Sequence, residues 1–228
     1  MTENSERTLT TDRNRGMEMI NIETIIKNVI TAESRAVMDQ LNVIDMDAAA
    51  KVVDLFCDCR GKILVTGCGT SGAAAKKIAH TLCCIDRPAV YLNPADAPHG
   101  GLGVVAAGDV AVFLSKGGAT PELVRLARIC NERGAATVAV SEKDGTPLTD
   151  VCGIWLKVRV DREPDEFNML ATASTLSVIS VMDAIAVCVM QKTGFSREDF
   201  AMIHPGGAVG EKLSEETDVI KFGEKKGA

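Results

Sequence analysis

The chain has 228 residues and a formal net charge of −6, and 46% of its residues are hydrophobic although only 4% are aromatic. This length and composition predict one large domain with a mainly aliphatic core. An acidic chain without a Lys/Arg cluster is a poor candidate for binding nucleic acid or an anionic membrane surface. Anionic ligands must therefore be held by local backbone amides and hydroxyls.

The N-terminal residues and the eight cysteines indicate the compartment. The first residues lack the apolar segment of a secretory signal, and no apolar run approaches the roughly 20 residues of a membrane span. The cysteines follow neither the paired CxxC nor the Cys/His spacing of a zinc site. We therefore expect reduced, buried thiols in a cytoplasmic protein that has no metal site.

The first quarter of the chain is predicted to be helical after a polar tail. Residues 1–16 are polar, which is typical of a disordered tail. Apolar residues recur at helical spacing over 17–42, and a second helix is predicted over 46–59. Gly61 suits the residue that follows the end of that second helix.

Short apolar runs rich in β-branched residues come next, and they predict strands over 62–67, 89–93, 109–115, 136–141 and 153–158. Such runs suit a parallel sheet that is buried on both faces. Helix-like segments over 71–84 and 121–133 separate several of them, so a doubly wound α/β layer fold is expected. A last long helix, over 172–192, is apolar almost all round and should be heavily buried in the core or at a subunit interface.

A glycine-rich loop follows the first predicted strand, where Gly67, Gly69 and Gly72 spell G-x-G-x-x-G. Taken alone, this motif indicates a tight turn or a dinucleotide site with the pyrophosphate at a helix N-terminus. A dinucleotide site also needs an acidic residue at the end of the second strand. That strand ends in Asn93, and Asp96 follows closely, so nicotinamide or flavin binding stays open as the less favoured alternative.

A second loop, "LSKGGATPEL", follows the third predicted strand and contains Ser115, Lys116, Gly117 and Thr120. Loops at the carboxyl ends of neighbouring parallel strands converge on one crevice. Hydroxyls, free amides and the positive end of a helix together suit a phosphate monoester. The two loops therefore favour a phosphorylated small molecule as the ligand.

Polar residues outside the two loops have ordinary structural interpretations as well as functional ones. His99, between Pro98 and two glycines, fits an exposed loop residue. Glu163 and Thr172 precede the long apolar helix and fit helix caps or ligand contacts. His204 precedes a Pro-Gly-Gly segment whose glycines allow a ligand to approach the backbone closely.

Three stretches together, "NPADAPHGGLG", "LSKGGATPEL" and "FSREDFAMIHPGGAVGEKL", resemble the SIS (sugar isomerase) domain, and within it the arabinose-5-phosphate isomerase branch. The resemblance covers roughly residues 30–213 and implies one SIS domain over 17–213, followed by a tail over 214–228. It implies a three-layer α/β/α sandwich with a five-stranded parallel sheet and N-terminal helices. It also implies a homodimer or homotetramer whose sites are shared between subunits, and a reaction that needs no cofactor. Many members continue into a pair of CBS domains, which we expect to be missing here because the sequence stops soon after Leu213.

The resemblance assigns catalytic roles to His204, Glu163 and His99 and substrate-binding positions to Gly69, Thr70, Ser71, Ser115, Lys116, Gly117, Thr120 and Thr172. Ser71, Ser115 and Thr120 match phosphate-binding hydroxyl positions. The chain departs from the branch at two positions, because it has Thr70 in place of a lysine and Ala119 in place of a glutamate.

The implied activity is sugar-phosphate aldose–ketose isomerisation through an enediolate, with D-arabinose 5-phosphate and D-ribulose 5-phosphate as the first choice of substrate pair. Either Glu163 or His204 is the base. An isomerase of another phosphosugar and a non-catalytic sugar-phosphate sensor stay open as alternatives, because the two departures alter the polar groups of the site.

Overall fold

The computed structural model describes residues 21–206, and its centre is a five-stranded sheet. The strands are β1 (Ile63–Gly67), β2 (Ala89–Tyr91), β3 (Val110–Leu114), β4 (Ala136–Ser141) and β5 (Ile154–Lys157). All neighbouring strands are parallel, in the order β2-β1-β3-β4-β5. Every residue of β1 and β3 is buried, as predicted for apolar strands covered on both faces.

Six helices accompany the sheet within the described residues: α1 (Ile22–Val43), α2 (Met46–Asp58), α3 (Gly69–Cys83), α4 (Pro121–Glu132), α5 (Ala173–Lys192) and α6 (Arg197–Ile203). Two short 3₁₀ turns, at Ala97–His99 and Gly101–Val104, lie between β2 and β3. The predicted tails, 1–16 and 214–228, fall outside the described residues, as does the predicted end of the domain at 213.

Two apolar cores cover the two faces of the sheet. On one face, β-strand residues such as Val65 and Val112 pack with α2, α3 and α5. On the other face, Leu64 and Phe113 pack against α4 and the 3₁₀ turns. The alternation follows from the period of two along each strand. The expected three-layer α/β/α sandwich is therefore confirmed.

The helix α5 has a mean hydropathy of 1.9, so its length and composition alone would suit a membrane span. In this fold it packs against α1, α2 and α3 as a core helix. Val181, Met182 and Ile185 are buried, whereas Leu176 and Val187 are exposed. The expectation of heavy burial therefore holds for one face of α5 only.

The order of the strands fixes where a ligand can bind. From β1 the chain crosses through α3 to β2 at the sheet edge, and it then returns to place β3 on the other side of β1. A doubly wound sheet opens a crevice at the carboxyl ends of the strands where the winding reverses. In this chain that crevice lies between the loops that follow β1 and β3.

Two predicted boundaries differ from the structure near this crevice. The predicted strand over 89–93 ends at Tyr91, because the Asn93 side chain accepts a hydrogen bond from the Ala95 N–H and turns the chain out of the sheet. The helix predicted from Ser71 begins at Gly69, where a φ of +56° lets the chain enter the helix directly after β1. The first turn of α3 therefore lies at the carboxyl end of β1.

Candidate active site

A cavity of about 130 Å³ lies at the carboxyl ends of β1, β3 and β4, beside the start of α5. Its polar lining comprises Thr70, Ser71, Ser115, Lys116, Ser141, Glu142, Ser174 and Thr175. The rest of the wall is aliphatic, with contributions from Leu114, Val140 and Val158. Hydroxyls and one ammonium on an apolar wall suit a small polar ligand that is partly removed from water.

The first glycine-rich loop brings α3 against the end of β1. A Cβ added at Gly72 would lie 2.7 Å from the Gly67 carbonyl oxygen, and one at Gly67 would lie 2.8 Å from the Ser71 carbonyl oxygen. Only residues without a side chain permit this approach. The motif thus places Thr70 and Ser71 at the cavity, at the N-terminal turn of a helix whose dipole favours anions.

The second loop joins the end of β3 to α4. The Ser115 and Thr120 hydroxyl oxygens lie 3.0 Å apart, and the Gly118 N–H donates to the Ser115 carbonyl oxygen at 3.1 Å. Thr120 occupies the N-cap of α4 without using its side chain as a cap, because that hydroxyl faces Ser115 instead. The loop therefore carries two adjacent hydroxyls at the carboxyl edge of the sheet.

Lys116 and Glu163 form an ion pair beside the cavity. Lys116 Nζ lies 2.7 Å from Glu163 Oε1, and the Glu163 side chain is only 1% exposed. Glu163 Oε2 accepts hydrogen bonds from the backbone N–H groups of Thr172 at 3.1 Å and Ser174 at 3.3 Å. Glu163 thus caps α5 with one oxygen and holds Lys116 with the other.

These contacts determine the ionisation of Glu163. Burial raises its pKa, but the hydrogen bonds from Lys116, Ser174 and Thr172 outweigh burial and hold the pKa below its ordinary value. A carboxylate that is stabilised in its charged form is a weak proton acceptor. The geometry therefore favours a positioning role for Glu163 over the role of base.

Glu142, which the sequence reasoning missed, lines the same cavity after β4. Its backbone N–H donates to the Lys116 carbonyl oxygen at 3.0 Å, and its Oε1 lies 3.8 Å from Lys116 Nζ. The signal that could have found it is its position, because Glu142 follows the end of β4 as Ser115 follows the end of β3.

Neither of the two predicted catalytic histidines lines this cavity. His99 is exposed at the end of a 3₁₀ turn, and His204 is half-buried at the end of α6. The His204 ring stacks on Phe200 with 4.0 Å between the ring centroids. His204 Nδ1 lies 3.0 Å from the Phe200 carbonyl oxygen, which can only accept. A hydrogen bond between these atoms requires the proton to be on Nδ1, so Nε2 is the ring nitrogen that does not take part in this contact.

Besides Thr120, the N-cap residue of α4, three predicted substrate-binding residues do not line the cavity wall. Gly69 begins α3, and Gly117 is an exposed residue of the second loop. Thr172 is the N-cap residue of α5, and its Oγ1 is buried without a hydrogen-bond partner in the part of the chain that the structure describes. These three residues thus belong to the loops that carry the site.

The eight cysteines are free thiols, as expected. The expectation that they are buried holds for Cys130 only, because Cys68, Cys83 and Cys188 are exposed and the other four are half-buried. Cys68 and Cys83 lie at the two ends of α3, and Cys188 lies on the outer face of α5. Within residues 21–206, no group of three or more His, Cys, Asp or Glu side chains is arranged to hold a metal ion.

The fold that carries this cavity is shared with known proteins. The family profile of the SIS domain matches residues 55–188, more than half of the chain. The chain therefore belongs to the SIS domain family, as the sequence motifs indicated.

Curated relatives within this family include arabinose 5-phosphate isomerases. The chain is 36% identical over 167 residues to the arabinose 5-phosphate isomerase GutQ of Salmonella typhi, and this match covers 73% of the chain and 52% of GutQ. The chain thus spans about half the length of the curated relatives it matches.

Two solved structures share the fold over most of the chain. A candidate sugar-phosphate isomerase from Listeria monocytogenes has a TM-score of 0.81 and 43% identity, and the match covers 84% of this chain and all of the other. The Escherichia coli CFT073 protein c3406, solved in complex with arabinose 5-phosphate, has a TM-score of 0.78 and 26% identity, and the match covers 83% of this chain and all of the other.

Proposed function

We propose that this chain is a sugar-phosphate aldose–ketose isomerase that interconverts D-arabinose 5-phosphate and D-ribulose 5-phosphate. The observation that carries the proposal is the cavity where Ser71, Ser115 and Lys116 converge beside the N-terminus of α3. The arabinose 5-phosphate isomerase relative and the arabinose 5-phosphate complex of a structural neighbour support the choice of substrate.

The phosphoryl group binds at the hydroxyl-rich side of the cavity. Ser71 lies in the first turn of α3, and the Ser115 and Thr120 hydroxyls lie 3.0 Å apart on the neighbouring loop. Short donors around a phosphate, together with the positive end of a helix dipole, bind a phosphate monoester without a cluster of basic residues. This accounts for anion binding by an acidic protein.

Isomerisation moves a proton between C1 and C2 of the sugar through an enediolate. The step needs a base near the α-carbon and a donor for the oxyanion that develops. Lys116, held by Glu163 at 2.7 Å, supplies the positive charge beside the cavity. His204 supplies the base through Nε2, and His99 positions the sugar oxygens. The reaction requires no redox cofactor.

The two histidines reach the cavity of a neighbouring subunit in a homotetramer. Large apolar side chains on the outer face of α1, among them Ile22, Ile26 and Leu41, are at least half exposed in the single chain and support such an assembly. Size-exclusion chromatography with light scattering tests the subunit number. We also propose that the protein is cytoplasmic.

The direct test is a panel of pentose and hexose phosphates incubated with the purified protein in D₂O. We expect conversion of D-arabinose 5-phosphate, with deuterium from solvent appearing at the carbon that exchanges its proton, as followed by NMR. Conversion of a different phosphosugar would retain the isomerase and replace its substrate. Binding of phosphosugars, detected by thermal shift, with no turnover of any would contradict the proposed activity.

The sensor alternative has one specific observation in its favour. By the family resemblance, Thr70 stands in place of a lysine and Ala119 in place of a glutamate, so the site has fewer charged groups. Lys116 and Glu142 place one positive and one negative charge in the same cavity. This favours an active site with changed residues over a site that has lost catalysis.

A further inference from the structure

Glu142 has an oxygen that the fold does not satisfy. Its Oε1 is shielded from solvent and has no hydrogen-bond partner within residues 21–206. The desolvation of an acceptor, and above all of a carboxylate, disfavours the folded state unless a donor reaches it. The side chain also lies on the cavity wall, so a ligand in the cavity can be that donor.

Lys116 does not supply the missing hydrogen bond. Its Nζ is 2.7 Å from Glu163 Oε1 but 3.8 Å from Glu142 Oε1, which exceeds hydrogen-bond distance. The backbone N–H of Glu142 is held at 3.0 Å by the Lys116 carbonyl oxygen, which fixes the end of β4 against the loop after β3. Glu142 is thus positioned beside the ammonium without being saturated by it.

The two carboxylates beside Lys116 therefore differ in acceptor capacity. Glu163 receives hydrogen bonds from Lys116 and from the amides of Thr172 and Ser174, so both of its oxygens are occupied. Glu142 borders the cavity, and its Oε1 receives no hydrogen bond from the described residues. An ionised carboxylate accepts hydrogen bonds and donates none, and it repels a phosphate.

We infer that Glu142 accepts a hydrogen bond from a hydroxyl group of the bound phosphosugar and determines specificity for the polyhydroxylated part of the ligand. The inference rests on the proposed function, because it takes the ligand to be a phosphosugar. It divides the cavity into a phosphate side lined by Ser71 and Ser115 and a sugar side at Glu142.

The competing interpretation is that Glu142 only helps to hold Lys116 in place. Loss of the carboxylate would then disturb Lys116 and weaken every anionic ligand alike. A contact with the sugar instead weakens phosphosugars and spares inorganic phosphate. The ratio of the two affinities therefore separates a role in recognition from a role in support.

The experiment compares Glu142→Ala and Glu142→Gln with the control Glu132→Gln, which changes an exposed glutamate at the end of α4. Calorimetric titrations use D-arabinose 5-phosphate and inorganic phosphate as ligands. We expect Glu142→Ala to bind the phosphosugar at least about tenfold more weakly, with phosphate affinity within about twofold of wild type. The control should match wild type for both ligands.

Equal weakening of both ligands, or no weakening of either, would overturn the inference. Thermal unfolding is measured first, and the isosteric Glu142→Gln variant provides the test if Glu142→Ala melts at a lower temperature. In turnover assays, we expect the KM of Glu142→Gln to rise by a larger factor than its kcat falls.

Failure of this inference is distinguishable from failure of the proposed function. If the wild type binds the phosphosugar without turnover and Glu142→Ala loses that binding, the contact stands and the isomerase activity does not. If the wild type isomerises the sugar and the Glu142 variants bind it normally, the activity stands and the contact does not.

Discussion

Two lysine–carboxylate pairs lie at opposite ends of the sheet. At the amino end, Lys62 Nζ lies 2.8 Å from Asp109 Oδ2, and at the carboxyl end Lys116 Nζ lies 2.7 Å from Glu163 Oε1. In both pairs the carboxylate side chain is 1% exposed. By distance and burial alone, the two pairs are nearly the same interaction.

Their surroundings are different. Asp109 also accepts hydrogen bonds from the backbone N–H groups of Lys62 at 2.9 Å and Ala106 at 2.7 Å, so it ties the start of β1 to the start of β3. Lys116 instead borders a cavity with hydroxyls and with Glu142, whose Oε1 has no donor within the described residues. The neighbouring groups, more than the pair itself, therefore indicate whether an ion pair serves folding or ligand binding.

The largest expected effect is a loss of turnover, and it concerns the carboxyl end of the sheet, where the ligand is proposed to bind. His204→Gln should lower turnover by about two to four orders of magnitude, because it removes the imidazole that we propose as the base and leaves the loop in place. Steady-state kinetics with D-arabinose 5-phosphate measure the loss, and circular dichroism checks the fold. The control His80→Gln changes an exposed histidine on α3 and should retain turnover.

The same assay applied to Glu163→Gln assigns the base. A positioning role predicts a smaller loss than that of His204→Gln. It also predicts that the pH dependence of kcat/KM keeps its acidic limb, because the proposed base, His204, is unchanged. Loss of that limb in Glu163→Gln, with normal turnover in His204→Gln, would exchange the two roles.

The next largest effect concerns the amino end of the sheet. Asp109→Asn should destabilise the fold by about 3 kcal/mol, because either orientation of the amide places a donor against another donor. The NH₂ group faces the Lys62 ammonium and the Ala106 N–H in one orientation and the Lys62 backbone N–H in the other. Urea unfolding measures this loss, and kcat at 25 °C should stay within about twofold of wild type. A large fall in kcat at unchanged stability would contradict a purely structural role for the Lys62–Asp109 pair. Asp150→Asn, at an exposed position, is the matched control.

Most of the fold and the two loops of the site could be predicted from the sequence. The contacts of Lys116 and the position of Glu142 could not. Near-continuous apolar runs predict the five strands, and the serines and glycines after β1 and β3 predict a phosphate loop on each side of the crevice. Lys116 and Glu163 are 47 residues apart, so no local pattern reports their contact. Glu142 sits in "SEKDG", which is typical of an exposed turn until the fold places it on the cavity wall.

A smaller effect tests how the loop after β3 keeps its shape. Gly118 has a φ of +66°, and an added Cβ would collide with the Thr146 hydroxyl. Gly145 has a nearly equal φ of +63°, and an added Cβ there would meet nothing within 4 Å. Gly145→Ala should therefore cost only the backbone strain, about 1 kcal/mol, whereas Gly118→Ala should cost about 1 kcal/mol more and raise KM. Urea midpoints measure both costs, and equal losses would show that the Thr146 contact does not constrain the loop.

The smallest effect is a change in the slope of stability against pH. Burial raises the pKa of Glu163 and of Asp109, but in both carboxylates the hydrogen bonds outweigh burial and hold the pKa below its ordinary value. A group whose folded pKa is lowered stabilises the fold above its unfolded pKa of about 4, and this contribution disappears as the pH falls through the folded pKa. Acid should therefore weaken both ends of the sheet.

Glu163→Gln removes one of these two contributions. The variant should be less stable than wild type at pH 7, and the two stabilities should approach each other as the pH falls below about 4. One carboxylate changes the slope by at most about 1.4 kcal/mol per pH unit, so urea midpoints are needed at several values between about pH 7 and pH 3. Parallel curves would mean that Glu163 does not titrate differently in the folded and unfolded chains. The Lys116 pair would then contribute to ligand binding without contributing to acid stability, which would make the contrast with Lys62 and Asp109 sharper still.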